Sequence, residues 1–136
     1  MKFVTLENTA KDFVNNSIEF KSIMNIMYIT QWLEQKFVKL VLLYDLDTLK
    51  TFVLLTKMNK DPLKIHENPY NLEYIYTFDN YRRQGFAYNT ILELKKNHNI
   101  TAFCTDNISE ELFKKAKYIF LSYDPLYNAL PIYRFP

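Results

Sequence analysis

The sequence predicts a mixed α/β domain with the element order β-α-α-β-β-β-α-β-α-β-β. Short runs of β-branched and aromatic residues alternate with segments whose apolar residues recur at helical spacing. The 136 residues are enough for one core, and no linker or repeat interrupts them, so we expect a single domain over residues 1–136. Hydrophobic residues make up 49% and charged residues 24%, which is typical of a globular protein.

The N-terminal part combines one strand with two helices. Residues 2–6 have the pattern of a short strand. Thr9 can cap a short helix, and Ser17 can cap a longer one that continues towards Phe37, because apolar residues follow each cap at helical spacing.

The middle of the chain has the pattern of three strands. Residues 38–44 and 49–57 are rich in β-branched residues and leucine, and Asp45-Leu46-Asp47 between them has turn chemistry, so they predict a hairpin. Residues 59–68 are polar and predict a loop. Residues 72–78 predict the third strand.

The C-terminal part alternates helix and strand. Apolar residues at helical spacing follow residue 86, and residues 100–105 predict a strand. Asn107 with Glu110 three positions later has the spacing of a capping box and opens a helix to about Ala116. Residues 118–123 and 130–135 predict the last two strands.

Composition also excludes several classes of protein. The single cysteine, Cys104, excludes an internal disulfide and a multi-cysteine zinc site, and His66 and His98 lack metal-ligand spacing, so we expect no metal. No apolar run approaches the ~20 residues of a membrane-spanning helix, and Glu7 and Asp12 interrupt any signal-peptide pattern. We therefore expect a cytoplasmic protein without a membrane partner, in the host cytoplasm if its source is a virus or phage.

The chain contains one glycine, Gly85, between the predicted strand 72–78 and the predicted helix. Average usage predicts roughly nine or ten in this length. Glycine permits positive φ and close approach of the backbone to a ligand, while a helix N-terminus presents unpaired N–H groups and Arg82 and Arg83 add positive charge. These features predict a phosphate-binding turn. The plainer alternative is a strand-to-helix turn in which Gly85 only relieves steric strain.

This segment resembles the signature of the GNAT superfamily of N-acetyltransferases, Arg/Gln-x-x-Gly-x-Gly/Ala between a strand and a helix. Arg82-x-x-Gly85-x-Ala87 matches it in that context. Residues 106–118 follow the spacing of a second family segment, Asn-x-x-Ala-x-x-Leu-Tyr-x-x-x-Gly-Phe, and the predicted element order agrees with the family. The resemblance implies a mostly antiparallel central sheet flanked by helices. It also implies an N-acetyltransferase that moves an acetyl group directly from acetyl-CoA to an amine.

The resemblance implies a coenzyme site along the turn and the strand before it. Backbone N–H groups of the turn would hold the pyrophosphate, and the strand 100–105 would splay away to admit the thioester. The expected coenzyme-binding residues are Tyr76, Thr77, Phe78, Arg82, Arg83, Gln84, Gly85, Phe86, Ala87 and Phe113.

The resemblance also suggests catalytic residues. Glu73 is the candidate general base, with a solvated or ion-paired carboxylate as the alternative. Phe113 replaces the family's usual acid tyrosine, which leaves Tyr118, Tyr123 or water to serve, or else catalysis is slow or absent. The candidate acceptor-binding residues are Tyr28, Trp32 and Asp124, of which the last could attract a cationic amine.

Two other functions stay open. A non-catalytic GNAT-fold module that binds coenzyme A or a protein would account for Phe113. A small nucleic-acid-binding protein would use the many aromatic residues and lysines, but the net charge of +2 argues against this partner. The sequence leaves the acceptor open, and it allows either a monomer or a homodimer.

Overall fold

The computed structural model describes residues 1–23, 29–34, 38–57, 69–103, 107–123 and 131–134. Its strands are β1 (Lys2–Leu6), β2 (Val38–Asp45), β3 (Thr48–Lys57), β4 (Pro69–Thr77), β5 (Asn99–Phe103), β6 (Ile119–Tyr123) and β7 (Pro131–Arg134). Its helices are α1 (Ala10–Asn16), α2 (Ile18–Lys21), α3 (Ile29–Leu33), α4 (Phe86–Asn97) and α5 (Asn107–Lys115), with a 3₁₀ turn at Asp79–Tyr81. Within these segments no helix has the length and apolar character needed to cross a bilayer.

The seven strands form one sheet in the order β1-β2-β3-β4-β5-β7-β6. Strands β4 and β5 are parallel, and every other neighbouring pair is antiparallel. A parallel pair needs a long crossover connection, and α4 provides it here. The predicted fold class, a mostly antiparallel mixed sheet flanked by helices, is confirmed.

The helix predicted to run from Ser17 towards Phe37 is wrong in its extent. It ends at Lys21, and α3 forms a separate element. The side chain of Ser22 bonds the carbonyl of Glu19, and the N–H of Ile23 bonds the carbonyl of Phe20, three residues back. Bonds that reach three residues back compete with the α-helical pattern and form a tight turn. Ile23, at the end of this turn, is buried in the core.

The hairpin predicted around Asp45-Leu46-Asp47 is confirmed. Leu46 and Asp47 have φ angles of 51° and 60°, so the chain reverses in a two-residue loop between β2 and β3. Positive φ at both loop residues matches the right-handed twist of the paired strands.

Two irregularities in the sheet place functional side chains. The register between β2 and β3 shifts so that Lys50 has no partner, and the register between β3 and β4 shifts in the same way at Glu73. An extra residue in one strand of a pair forms a bulge that re-aims the side chains around it. The Lys50 bulge lies beside the end of β4 that leads into the glycine-containing turn, and the Glu73 bulge lies in the middle of β4.

Helices cover both faces of the sheet, so successive side chains along a strand are buried on opposite faces. Val53 and Leu55 of β3 pack in the cluster formed with α4 and α5, and Phe52 and Leu54 pack in the cluster formed with α1 to α3. Strands buried on both faces carry apolar residues at nearly every position. This accounts for the nearly continuous apolar run in the middle of the chain.

Candidate active site

In the part of the chain that the structure describes, β4 pairs with β5 over only the first half of its length. The two strands pair from Pro69 opposite Asn99 to Leu72 opposite Ala102, whereas β4 continues to Thr77. Among the described residues, the ladder between β4 and β5 therefore ends at Leu72. A strand that continues past the end of a ladder can offer backbone N–H and C=O groups to an extended ligand. The resemblance implied that the strand 100–105 splays away from β4, and the last residues of that segment lie outside the described residues.

The turn after β4 presents open backbone donors. Gly85 is the N-cap of the 12-residue helix α4, and no side chain caps this helix end. The first bond from within the helix runs from the N–H of Asn89 to the carbonyl of Gly85, at 3.0 Å. The N–H groups of Phe86, Ala87 and Tyr88 thus lack an acceptor within the helix. Together with the positive end of the helix dipole, they suit an anion.

The backbone conformation of Gly85 explains why glycine stands there. Its φ is +85° with ψ at 7°, which is the left-handed region. A Cβ atom at this position would meet only the Nδ2 atom of Asn89, at an ordinary 3.9 Å. The chain itself therefore leaves open space in front of Gly85. Its positive φ, and not crowding by other side chains, is what the fold requires of this residue.

The two arginines of the turn have different surroundings. Arg82 folds back on β4: its Nε donates to the carbonyl of Thr77 at 3.0 Å, and its Nη2 lies 2.9 Å from a carboxylate oxygen of Asp79. Its guanidinium also lies 5.1 Å from the centre of the Tyr76 ring. Arg83 is exposed and makes no ion pair with a described residue. Arg82 thus connects the turn to the end of β4, whereas Arg83 presents its positive charge to solvent.

A buried lysine lies beneath the turn. Lys50 is 9% exposed, and its ammonium is 3.5 Å from the centre of the Tyr81 ring and 5.8 Å from that of Phe86. Its carbonyl accepts a bond from the N–H of Phe78. Sequence reasoning missed this residue because it lies more than 30 positions before the turn. The available signal was a lysine inside an apolar strand run.

Glu73 lies where β4 and β5 begin to diverge. Its Oε1 accepts hydrogen bonds from the hydroxyl of Thr56 at 2.7 Å and from the amide of Asn71 at 3.0 Å. Neither bond uses Oε2. Two charge-assisted bonds to one oxygen hold the carboxylate in a defined orientation. A carboxylate held in this way can accept a proton through its second oxygen.

A row of polar side chains crosses the sheet beside Glu73. Asn71 of β4 lies in register with Thr56 of β3 on one side and with Thr101 of β5 on the other. The Oδ1 of Asn71 and the Oγ1 of Thr101 are buried and have no hydrogen-bond partner among the described residues. Buried polar atoms of this kind are usually satisfied by a water molecule or a ligand. The row marks the inner end of the opening between β4 and β5.

No protein-family model matches the sequence, and no curated protein matches it. Solved structures do match. GCN5 from Tetrahymena gives a TM-score of 0.69 at 14% identity, with 100% of this chain and 98% of that chain covered. Aminoglycoside N-acetyltransferase AAC(6')-Iy, solved in complex with CoA, gives 0.65 at 11% identity, with 93% and 98% covered. The KacTA–DNA complex gives 0.62 at 10% identity, with 98% and 93% covered. Many of the matching structures are GNAT-family acetyltransferases. The chain has the GNAT fold.

Within the GNAT fold, most of the expected coenzyme-binding residues form one continuous stretch. Tyr76, Thr77 and Phe78 are half-buried at the end of β4, and the Oγ1 of Thr77 lies 2.8 Å from that of Thr51. The residues from 82 to 85 are exposed in the turn, and Phe86 and Ala87 begin α4. These residues therefore lie at the end of β4 and in the turn that follows it, and Glu73 lies on the same strand.

Two sequence-predicted residues lie in the core of the GNAT fold instead. Phe113 is 2% exposed, and Tyr118 is 4% exposed with its hydroxyl donating to the carbonyl of Ile91 at 3.3 Å. Burial raises the pKa of Tyr118, which makes this phenol a poorer proton donor. The placement argues against coenzyme contact for Phe113 and against the role of general acid for Tyr118, because apolar neighbours enclose both rings.

The remaining expected residues fall partly outside the described residues. Tyr28 and Asp124 lie outside them. Trp32 belongs to α3 and Tyr123 to β6, but their side chains are not described. Among the described residues, no group of three histidine, cysteine or carboxylate side chains could hold a metal ion.

Proposed function

We propose that the protein is an acetyl-CoA-dependent N-acetyltransferase that transfers the acetyl group directly to an amine. One observation carries this proposal: an uncapped, glycine-containing turn follows a strand whose pairing with β5, among the described residues, ends at Leu72. The turn suits a phosphate, and the open edge suits an extended amide-containing arm. Acetyl-CoA carries both in one molecule, because its pyrophosphate is joined to an extended arm that contains amides.

Coenzyme binding would use the two parts of the site in sequence. The pyrophosphate accepts hydrogen bonds from the N–H groups that open α4, and Arg83 adds an exposed positive charge beside them. The pantetheine arm would pair with the backbone of β4 past its last described pair with β5, at Leu72. The structure of AAC(6')-Iy in complex with CoA supports this assignment, since it has the same fold.

In the transfer step, the amine nitrogen attacks the thioester carbonyl carbon. Glu73 accepts the proton that the nitrogen loses, directly or through a water molecule, with the bonds from Thr56 and Asn71 orienting its carboxylate. The carbon–sulfur bond then breaks and the thiolate leaves with the electron pair. An N–H on the open edge of β4 would stabilise the oxyanion. Tyr123 remains the candidate donor of a proton to the thiolate, with water as the alternative.

The acceptor would enter from the side of the N-terminal helices. Tyr76 and the neighbouring aromatic side chains of β4 lie on the face covered by α1 to α3. Tyr28, Trp32 and Asp124 remain the proposed acceptor-binding residues, and a carboxylate at Asp124 would favour a cationic amine. The protein would act in the cytoplasm as a monomer or a homodimer.

Two measurements test the proposal. Isothermal titration with acetyl-CoA should show saturable binding at micromolar to millimolar ligand, and no binding at millimolar ligand would exclude the coenzyme site. Thiol release from acetyl-CoA should then rise when a panel of amines is added. The panel should include small polyamines, aminoglycosides, lysine peptides and peptides with free N-termini.

The second candidate is a non-catalytic module that binds coenzyme A or a protein. It is favoured by the burial of Phe113 and by the bond that commits the Tyr118 hydroxyl to Ile91. Such a module would bind acetyl-CoA without releasing thiol. Turnover with any amine of the panel rules it out.

A nucleic-acid partner is the third and least favoured candidate. The KacTA–DNA complex has the same fold, whereas the net charge of +2 provides little attraction for phosphate backbones. A gel shift at low salt that weakens as salt is added would support this partner. Failure to bind at low salt would remove it.

A further inference from the structure

Lys50 is an unusual residue for the interior of a sheet. The side chain leaves β3 at a bulge, is 9% exposed, and places its ammonium under the turn that follows β4. A lysine with so little exposed surface normally places its ammonium beside a carboxylate, because loss of water around the charge is unfavourable. Among the described residues, no carboxylate forms an ion pair with Lys50.

The close partners of this ammonium are two aromatic rings. The ring centre of Tyr81 is 3.5 Å away and that of Phe86 is 5.8 Å away, both within the range of a cation–π interaction. Tyr81 ends the 3₁₀ turn, and Phe86 is the first residue of α4. The four residues between them, 82 to 85, form the turn itself. Lys50 therefore contacts the residue before the turn and the residue after it.

We propose that Lys50 is a positioning residue for the anion-binding turn. By holding the rings of Tyr81 and Phe86 together, it keeps the N–H groups at the start of α4 in one arrangement before the ligand arrives. The hydrogen bond from the N–H of Phe78 to the carbonyl of Lys50 fixes the same bulge to the end of β4. The proposal rests on the proposed function only for the identity of the anion, which is the pyrophosphate of acetyl-CoA.

Preorganisation explains why a lysine is useful here. A turn that samples several conformations binds its ligand more weakly, because only the competent fraction contributes to the measured affinity. Gly85, with a φ of +85°, is the most permissive residue of the turn, so an external contact is needed to limit its freedom. The uncompensated positive charge also adds to the attraction that a phosphate meets at this helix end.

The first test removes the positive charge of Lys50 and keeps a side chain of similar length. Lys50→Met keeps a long unbranched side chain but removes the charge, whereas Lys50→Arg keeps a cation that can stack on both rings. We expect acetyl-CoA to bind about tenfold more weakly to Lys50→Met and within about threefold of the wild type to Lys50→Arg. Binding to Lys50→Met within twofold of the wild type would overturn the proposal.

The second test measures how often the turn opens when no ligand is bound. Arg82 and Arg83 are trypsin sites inside the turn, so the initial rate of cleavage there reports how often the turn opens. Lys50→Met should be cleaved at this site several-fold faster than the wild type, and Lys50→Arg should not. An unchanged rate in Lys50→Met would overturn the proposal even if acetyl-CoA proved not to be the ligand. Failure of the wild type to bind acetyl-CoA would contradict the proposed function alone.

The chain offers a matched control. Lys39 also places its ammonium over a tyrosine, 4.7 Å from the centre of the Tyr70 ring, but it lies on β2 and also pairs with Glu7. Lys39→Met removes a similar contact away from the turn, so it should change neither acetyl-CoA affinity nor cleavage after Arg83. If Lys39→Met had the same effects as Lys50→Met, the loss would reflect general destabilisation and the positioning role would be wrong.

A double-mutant cycle identifies the partner through which Lys50 acts. Tyr81→Leu removes the ring nearest the ammonium, and we expect the double variant with Lys50→Met to bind no more than twofold more weakly than the weaker single variant. Fully additive losses would show that Lys50 does not act through Tyr81, and would overturn the proposed mechanism.

Discussion

Thr56 donates a hydrogen bond of 2.7 Å to Oε1 of Glu73, from β3 to the bulge of β4. The bulge and this bond together set the direction of a carboxylate at the point where β4 and β5 part. Because Asn71 donates to the same oxygen, Oε2 is left to receive a proton. An orientation that exists before substrate arrives need not be established during the reaction.

The first prediction concerns this carboxylate. Glu73→Gln should lower kcat for amine acetylation by about a hundredfold, because an amide cannot accept the proton, and should leave acetyl-CoA affinity nearly unchanged. Thiol release and isothermal titration measure the two quantities. Thr56→Val is the matched variant, since it removes one orienting bond and retains the base; its loss of kcat should be smaller. An undiminished kcat in Glu73→Gln would reduce the carboxylate to a structural role.

The second prediction separates the two demands on Gly85. Gly85→Val should weaken acetyl-CoA binding at least tenfold and lower the free energy of unfolding by about 1–3 kcal/mol, since a β-branched residue tolerates a φ of +85° poorly. Gly85→Asn is the control, because asparagine accepts this conformation while still adding a Cβ atom. It should recover stability but not full affinity. A folded Gly85→Val variant with wild-type affinity would mean that the turn does not hold the coenzyme.

The third prediction distinguishes a core role from a site role for Phe113. The ring is 2% exposed, so Phe113→Tyr should bury a hydroxyl without a prepared partner and lower the free energy of unfolding by about 1–3 kcal/mol. Urea denaturation measures this loss, and Phe113→Leu gives a purely apolar comparison. If Phe113→Tyr were as stable as the wild type and turned over faster, the ring would face the thioester sulfur as the family resemblance implied.

The fourth prediction follows from the raised pKa of Tyr118. Because burial raises this pKa above the ordinary 10.0, the folded state favours the neutral phenol. Its contribution to stability is therefore complete below about pH 10 and is lost as the pH rises through the folded-state value. Tyr118→Phe should lower stability by about 1 kcal/mol at neutral pH, through loss of the bond to Ile91, and should make unfolding above pH 10 less steep.

The matching measurement is kcat at neutral pH. Tyr118→Phe should leave kcat within about twofold, since the hydroxyl is committed to a backbone carbonyl. A large loss of turnover with unchanged stability would restore Tyr118 as the general acid. Tyr123→Phe tests the remaining phenol among the candidates, and its kcat should fall if Tyr123 donates the proton to the thiolate.

Much of the fold could be predicted from local sequence patterns. Runs of β-branched, leucine and aromatic residues located the strands, and the hairpin at Leu46 and Asp47 was found from its turn chemistry. The long second helix was not predictable in the same way. Its apolar spacing is helical, but the side-chain bond of Ser22 and the burial of Ile23 end the helix early. A local side-chain bond and a tertiary contact thus outweigh the helical preference of this segment.

Only part of the candidate site could be predicted from the sequence, because the rest depends on contacts between distant segments. Gly85 and Arg83 were found because the turn is contiguous in sequence. The distinction between Arg82 and Arg83 depends on where Thr77 and Asp79 lie in space. Likewise, burial of Tyr118 depends on how α4 crosses the sheet, and the composition of the segment around it carries no sign of that.

A few consecutive residues are enough to specify the kind of turn that follows β4. A lone glycine before a helix predicts positive φ and open N–H donors, because both are properties of a few consecutive residues. The residues that support that turn, and the residues that face it, come from distant parts of the chain and follow from the fold. Lys50 reaches Tyr81 and Phe86, and Thr56 reaches Glu73, through bulges that shift the register of neighbouring strands. Register is set by packing across the whole sheet, so no single segment of the chain carries that information.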